Sequence, residues 1–213
     1  TSGRLWETMT PYRKKDFFQG GYYHIYNRGV NRDPIFFSNE NYNYCLKLIR
    51  RSLRRHDVAI IVYCLMPNHY HFILRQNSEA NIADFIRDIF NPYVQAVNIQ
   101  QHRNGTLFEG RFKHILIEKD EHILHLCRYI HLNPVKARLV SSPELWMFSN
   151  YLDWIGERED TLTDMDFMVS NFQNGDSYRD FVMEYLVEKN LEKKIRKYML
   201  EENLPEVSKP PGG

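Results

Sequence analysis

The order of hydrophobic patterns predicts an α+β fold of ferredoxin-like type. It is a βαββαβ antiparallel sheet with its helices on one face, followed by a further helix. Three observations carry this expectation. Val58–Met66 (VAIIVYCLM) and His69–Leu74 (HYHFIL) are β-branched and aromatic runs separated only by Pro67-Asn68, so they read as antiparallel neighbours. Helical periodicity precedes this pair from Ser38 to Leu53 and follows it from Ile82. A shorter strand pattern stands outside each helix and completes the split-βαβ order.

Tyr22–Asn27 (YYHIYN) has the content of a first strand, which Arg28-Gly29 ends. Ser38 or Asn39 caps the first helix, which runs on through Tyr44, Leu48, Ile49 and Leu53. It ends near Arg54-Arg55-His56, where cations suit the negative end of a helix. The second helix runs from Ile82 to about Gln101, with Ile82, Phe85, Ile86 and Ile89 on one side. Pro92 inside it predicts a kink or restart. Arg103-Asn104-Gly105 is a turn, and His114–Glu118 (HILIE) is the fourth strand. Asp120 caps a third helix that ends near Leu132, ahead of Pro134. The aromatic-rich stretch Pro143–Ile155 is expected to fold back onto the domain. Asp160–Met165 reads as a link, and Ser177–Leu200 as one or two charged helices.

Thr1–Thr8 reads as an expression-tag remnant ahead of Met9. Residues 9–155 read as one domain, and residues 156–213 as an acidic, mainly helical C-terminal extension. Charge divides the same way. Met9–Asn150 holds 19 Lys and Arg against 12 Asp and Glu, net +7; Tyr151–Gly213 holds 8 against 14, net −6. The first block suits a polyanion and the second does not. No apolar run approaches the roughly 18 residues needed to span a bilayer. No secretory signal opens the chain. Cys45, Cys64 and Cys127 are odd in number and none stands in a C-x-x-C pair. A disulfide framework or zinc knuckle is therefore not expected, and a cytoplasmic location fits.

His69 and His71 are two apart on a strand, so both project from one face, while Tyr70 and Phe72 point into packing. One strand histidine is ordinarily a packing residue. Two on one face can grip a cation. Tyr129 and Asn133 lie four apart on the third helix and are neighbours on its surface. If that helix crosses the sheet, Asn133 offers an amide oxygen to a metal held by the two imidazoles, with the Tyr129 hydroxyl one turn away. Two nitrogens and an amide oxygen are an open, fairly hard ligand set that suits Mg2+ or Mn2+ rather than a closed zinc site. A phenol is a poor nucleophile at neutral pH unless a metal polarises the phosphate it attacks.

These motifs resemble the REP-associated tyrosine transposases, relatives of insertion-sequence transposases within the HUH single-strand endonucleases. Tyr23–Gly29 (YHIYNRG) looks like the family's opening strand, and Pro67–Phe72 (PNHYHF) like its His-hydrophobic-His motif. Leu107–Lys113 (LFEGRFK) looks like its basic segment, and Tyr129–Val140 (YIHLNPVKARLV) like its tyrosine helix. Their order and spacing agree over about Pro11 to Tyr151. The resemblance implies that residues 9–155 form a catalytic domain. It implies His69, His71 and Asn133 as metal ligands and Tyr129 as the nucleophile that joins the 5′ phosphate and leaves a 3′ hydroxyl. It implies single-stranded DNA with a hairpin, a REP-like palindrome, as partner, with no membrane and with a monomer or homodimer. Glu109 stands where a glutamine is expected, Arg138 where a glycine is common, and Asn150 where a serine is common.

Arg28, Arg111 and Lys113 lie at element ends near the implied site and are expected to contact DNA, as is a basic arm of Arg13, Lys14 and Lys15. Tyr or Phe residues on this surface could stack unpaired bases, but the sequence does not say which are exposed. Two other readings stay open: a non-catalytic RNA-binding module of the same topology, and a metal-dependent phosphodiesterase that uses water.

Overall fold

Alternation along the strands decides the architecture. In the computed structural model, which describes residues 17–79, 82–159 and 162–187, strand β1 is Tyr22–Arg28. Its Tyr23 and Ile25 enter one hydrophobic core, while His24 and Tyr26 project to the other side. Strands β2 (Val58–Met66) and β3 (His69–Gln76) form the expected hairpin, and β4 is Lys113–Leu116. The sheet order is β2-β3-β1-β4, antiparallel throughout. Fully buried β2 has no polar face at all, as a strand covered on both sides requires. A bulge between Ile60 and Val62 resets its parity, so Ile61 and Val62 both enter the second core.

Helices α1 (Asn39–Leu53) and α2 (Ile82–Gln100) pack together over one face. They close a core that includes Tyr23, Ile25, Tyr70, Phe72, Phe85 and Phe90. Helix α3 (Asp120–Lys136) lies on the opposite face against β2 and β3. The short helices α4 (Tyr151–Trp154) and α5 (Asp166–Asn171) and helix α6 (Gly175–Val187) join α3 in a second core.

Two expectations need correction. Helix α3 does not stop before Pro134 but runs through it to Lys136. Proline removes the N–H that would bond the Ile130 carbonyl. The Asn133 side chain compensates, its Nδ2 donating to the carbonyls of Tyr129 (3.1 Å) and Ile130 (3.5 Å). The helix then ends in a Schellman turn. Arg138 N–H bonds the Val135 carbonyl and Leu139 N–H the Pro134 carbonyl, with Arg138 at φ 57°. Glycine adopts that conformation cheaply and arginine does not, so the backbone here suits the glycine that the resemblance leads one to expect. The stretch ahead of α5 is likewise more than a link. Leu162 is buried, and Asp164 N–H bonds the Ile60 carbonyl while its carboxylate pairs with Arg75 at 2.5 Å.

Residues 146–154 fold back as expected. Leu65 N–H bonds the Phe148 carbonyl, and the Trp146 and Trp154 indoles donate to the carbonyls of Leu65 and Ile61. Asn150 is the clamp. Its Oδ1 accepts from Tyr63 N–H (2.8 Å) and His131 Nε2, and its Nδ2 donates to the Ile61 carbonyl (2.8 Å) at the bulge. A serine could not satisfy all three groups. No helix among the described residues is long and apolar enough to cross a membrane.

Candidate active site

The imidazole pair is set by a tight backbone junction. Pro67-Asn68 turns from β2 to β3, and its backbone docks on the segment after β1. Gly29 N–H bonds the Asn68 carbonyl, and Ile35 N–H bonds the Pro67 carbonyl at 2.7 Å. Gly29 permits the tight turn that carries this segment away from β1, since a Cβ there would stand 2.0 Å from the Asp33 carbonyl oxygen. Asn68 then works in two directions. Its Nδ2 donates to the Arg32 carbonyl, and its Oδ1 lies 2.7 Å from His69 Nδ1. The oxygen can only accept, so His69 carries its proton on Nδ1 and keeps a lone pair on Nε2.

His71 follows on the same face. Its Nδ1 lies 2.9 Å from Nε2 of His24 on β1, and the two rings stack at 5.1 Å. His69 and His71 are edge to face, their centroids 4.9 Å apart. Both residues are buried, and the Nε2 atom of each has no hydrogen-bond partner. Burial is the main reason that His69 is pulled down to about 4 and His71 well below the ordinary imidazole range. The Arg28 guanidinium, on the residue paired with His69 across the strands, adds to the first shift. Neutral imidazoles with buried, unbonded lone pairs and anchored second nitrogens have the chemistry of metal ligands.

Helix α3 brings Tyr129 to this face. Its ring lies edge to face with His71, 6.4 Å between centroids, and is fully buried. Lys136, two turns on, places Nζ 4.7 Å from the centre of the same ring and 5.5 Å from that of Tyr185 on α6. The predicted trio of His69, His71 and Tyr129 therefore stands on one face of the sheet. Asn133 is buried on the same helix, its amide nitrogen committed to the backbone carbonyls freed around Pro134. Among the described residues no group of three or more His, Cys, Asp or Glu side chains could hold a metal together. A metal on the two imidazoles would therefore have to take its further ligands from groups of another kind, such as an asparagine oxygen.

The predicted cations divide. Lys113 on β4 reaches over the ring of Tyr26, itself stacked on His24, and so borders the imidazole face. Arg28 is paired with Glu109 at 2.6 Å, so the carboxylate that replaces the expected glutamine neutralises the cation nearest His69. Arg111 is exposed. Arg13, Lys14 and Lys15 lie outside the described residues, as do Thr1–Thr8 and residues 188–213. Sequence reasoning missed His24, Asn68 and Lys136. His24 could have been found, since it shares the strand that the opening motif names.

The profile of the IS200-like transposases matches residues 12–133, over half of the 213-residue chain, from ahead of β1 through Asn133. The chain belongs to the IS200-like transposase family. A Haemophilus influenzae relative that bears the name REP-associated tyrosine transposase is 22% identical over 153 residues, or 67% of this chain and 86% of the relative. A solved structure of a REP-associated tyrosine transposase bound to a REP hairpin superposes with a TM-score of 0.58 at 18% identity. That superposition covers 73% of this chain and 98% of the other. That solved structure shares with this transposase-family chain the four-stranded antiparallel sheet and its helices. The matched segment also contains the whole imidazole–tyrosine face except Lys136 and α6.

Proposed function

We propose that this chain nicks single-stranded DNA beside a hairpin and holds the cut end as a 5′-phosphotyrosine on Tyr129. A divalent metal, Mg2+ or Mn2+, is held by His69 and His71, with Asn133 as third ligand. One observation carries the reading: two neutral imidazoles with unbonded Nε2 atoms lie on the same sheet face as the Tyr129 ring. The hairpin partner is taken from the relative solved with a REP hairpin.

In this mechanism the phenol gives its proton to solvent, and its oxygen bonds the phosphorus as the bond to the 3′ oxygen breaks. The departing 3′ oxygen takes a proton. A bound divalent cation supplies charge stabilisation at the phosphate oxygens. His24 and Asn68 orient the imidazoles through their second nitrogens. Lys113 and Arg111 contact DNA phosphates. Arg28 does so once DNA competes with Glu109. The phosphotyrosine conserves the energy of the broken linkage, so the strand can be rejoined. Because Tyr129 is fully buried, DNA entry requires the packing over it to open.

The test is a denaturing gel with end-labelled single-stranded hairpin DNA in Mg2+ or Mn2+. The expected result is a protein-linked band that Tyr129→Phe abolishes and Tyr26→Phe retains. Cleavage that survives Tyr129→Phe means hydrolysis by water. Binding without cleavage in either metal means a binding module.

A further inference from the structure

A groove on the other side of the edge strand has a chemistry of its own. It encloses about 830 Å3 between α2 and the segment 108–114, on the sheet face that carries α1 and α2. Its walls include Phe90 and Phe108 from the core, and Phe17 and Phe112, which are half-buried. Phe17 and Phe112 lie within 28° of parallel with centroids 6.5 Å apart. Arg87 and Arg111 line the same groove, and Arg111 is exposed and in no ion pair among the described residues. Asn91 adds an exposed amide, while Glu79 supplies one opposite charge.

We infer that this groove receives one unpaired base of single-stranded DNA, stacked on Phe112 and Phe17, with the adjoining phosphate on Arg111. The inference rests on the DNA reading proposed above, which already places Arg111 on a phosphate, and adds the aromatic groove beside it. Three arguments converge. Every base has a flat π-face that a half-buried aromatic ring can stack on its open side, and the exposed Arg111 guanidinium beside it suits the backbone charge. The groove lies in the block of the chain with net +7. Finally, β4 is an edge strand whose alternate residues serve both sites. Lys113 reaches toward Tyr26 on the imidazole face, while His114, next in sequence, lines the groove. A strand held by Lys113 can therefore cross one unpaired edge and meet Arg111 and Phe112 on the far side.

The test uses the full chain and single-stranded hairpin DNA with 2-aminopurine placed at successive positions of its unpaired flank. One flank position is expected to be quenched on binding, and Phe112→Ala should abolish that quenching. The same change should weaken binding of flanked DNA about tenfold, as base–aromatic stacking predicts, and leave a blunt hairpin unaffected. Phe112→Trp should restore both signals, which separates stacking from a packing defect, and Arg111→Gln should lower the salt dependence of binding. If flanked DNA binds with no flank position quenched, or if Phe112→Ala binds it as tightly as wild type, the groove inference is overturned while the Tyr129 chemistry stands. Loss of the covalent band with quenching intact overturns only the nucleophile assignment. A wild-type chain that binds no DNA at all sinks both.

Discussion

The two faces of the sheet come from the same strands and are put to opposite uses. Toward α1 and α2, alternate residues of β1 and β3 supply Tyr23, Ile25, Tyr70, Phe72 and Leu74, which pack as a continuous apolar core. Tyr70 there stacks on Phe90 at 4.2 Å. Toward α3, the residues between them supply His24, Tyr26, His69 and His71. The buried histidines among the described residues, 24, 69, 71 and 131, all belong to the α3 side. A strand's two-residue period lets one segment anchor an apolar core on one side and gather buried histidines on the other without compromise between them.

The sharpest way to break this comparison is to mutate each face. Phe72→Ala, at full burial toward α1 and α2, is expected to cost about 3–5 kcal/mol of unfolding free energy, measured by denaturant titration. Tyr129→Phe should leave the melting temperature within a few degrees, since it keeps the ring, while it removes the covalent adduct. Equal destabilisation by the two changes would mean that the Tyr129 hydroxyl is held for packing rather than kept for chemistry.

Acid should distinguish the faces next. His131 bridges α6 and the Asn150 clamp, with Nδ1 at 2.6 Å from the Tyr178 hydroxyl and Nε2 at 2.9 Å from Asn150 Oδ1. The neutral Nε2–H tautomer satisfies both partners. Burial lowers His131 to about 4, against the favourable effect of Asn150. The folded state therefore resists a proton that the unfolded chain accepts near pH 6.5. Stability is complete above that pH and falls as pH drops toward about 4, by on the order of 2–3 kcal/mol from this residue. His131→Gln should flatten that part of the curve in urea denaturation at stepped pH. An unchanged slope would remove His131 from the account.

The smallest expected effect sits at the end of the tyrosine helix. Arg138 holds φ 57° at the Schellman position, so Arg138→Gly should raise stability by about 0.5–1 kcal/mol, read as a higher melting temperature. A lower one would show that the Arg138 side chain matters more than its backbone.

Much of this was legible in the residues alone. Strand β2 begins and ends where its β-branched run does, and α1 starts at the serine–asparagine boundary. The HYH alternation placed both imidazoles on one face, and the four-residue step from Tyr129 to Asn133 placed them on one helix surface. The extent of α3 was misread because proline rules are local, whereas the Asn133 amide supplies the missing donor from the helix's own side chains. The Arg28–Glu109 pair was invisible because its partners lie 81 positions apart in the sequence.

Periodicity, turn residues and motif spacing thus determined which elements form and which side chains share a face, because those depend on neighbours in the chain. Only the tertiary structure decided that α3 covers the face opposite α1 and α2, that His24 and Asn68 hold the imidazoles, and that Arg111 and Phe112 open onto a separate groove. Those facts depend on which distant segments meet. Burial, lone-pair occupancy and charge pairing are properties of such meetings rather than of residues.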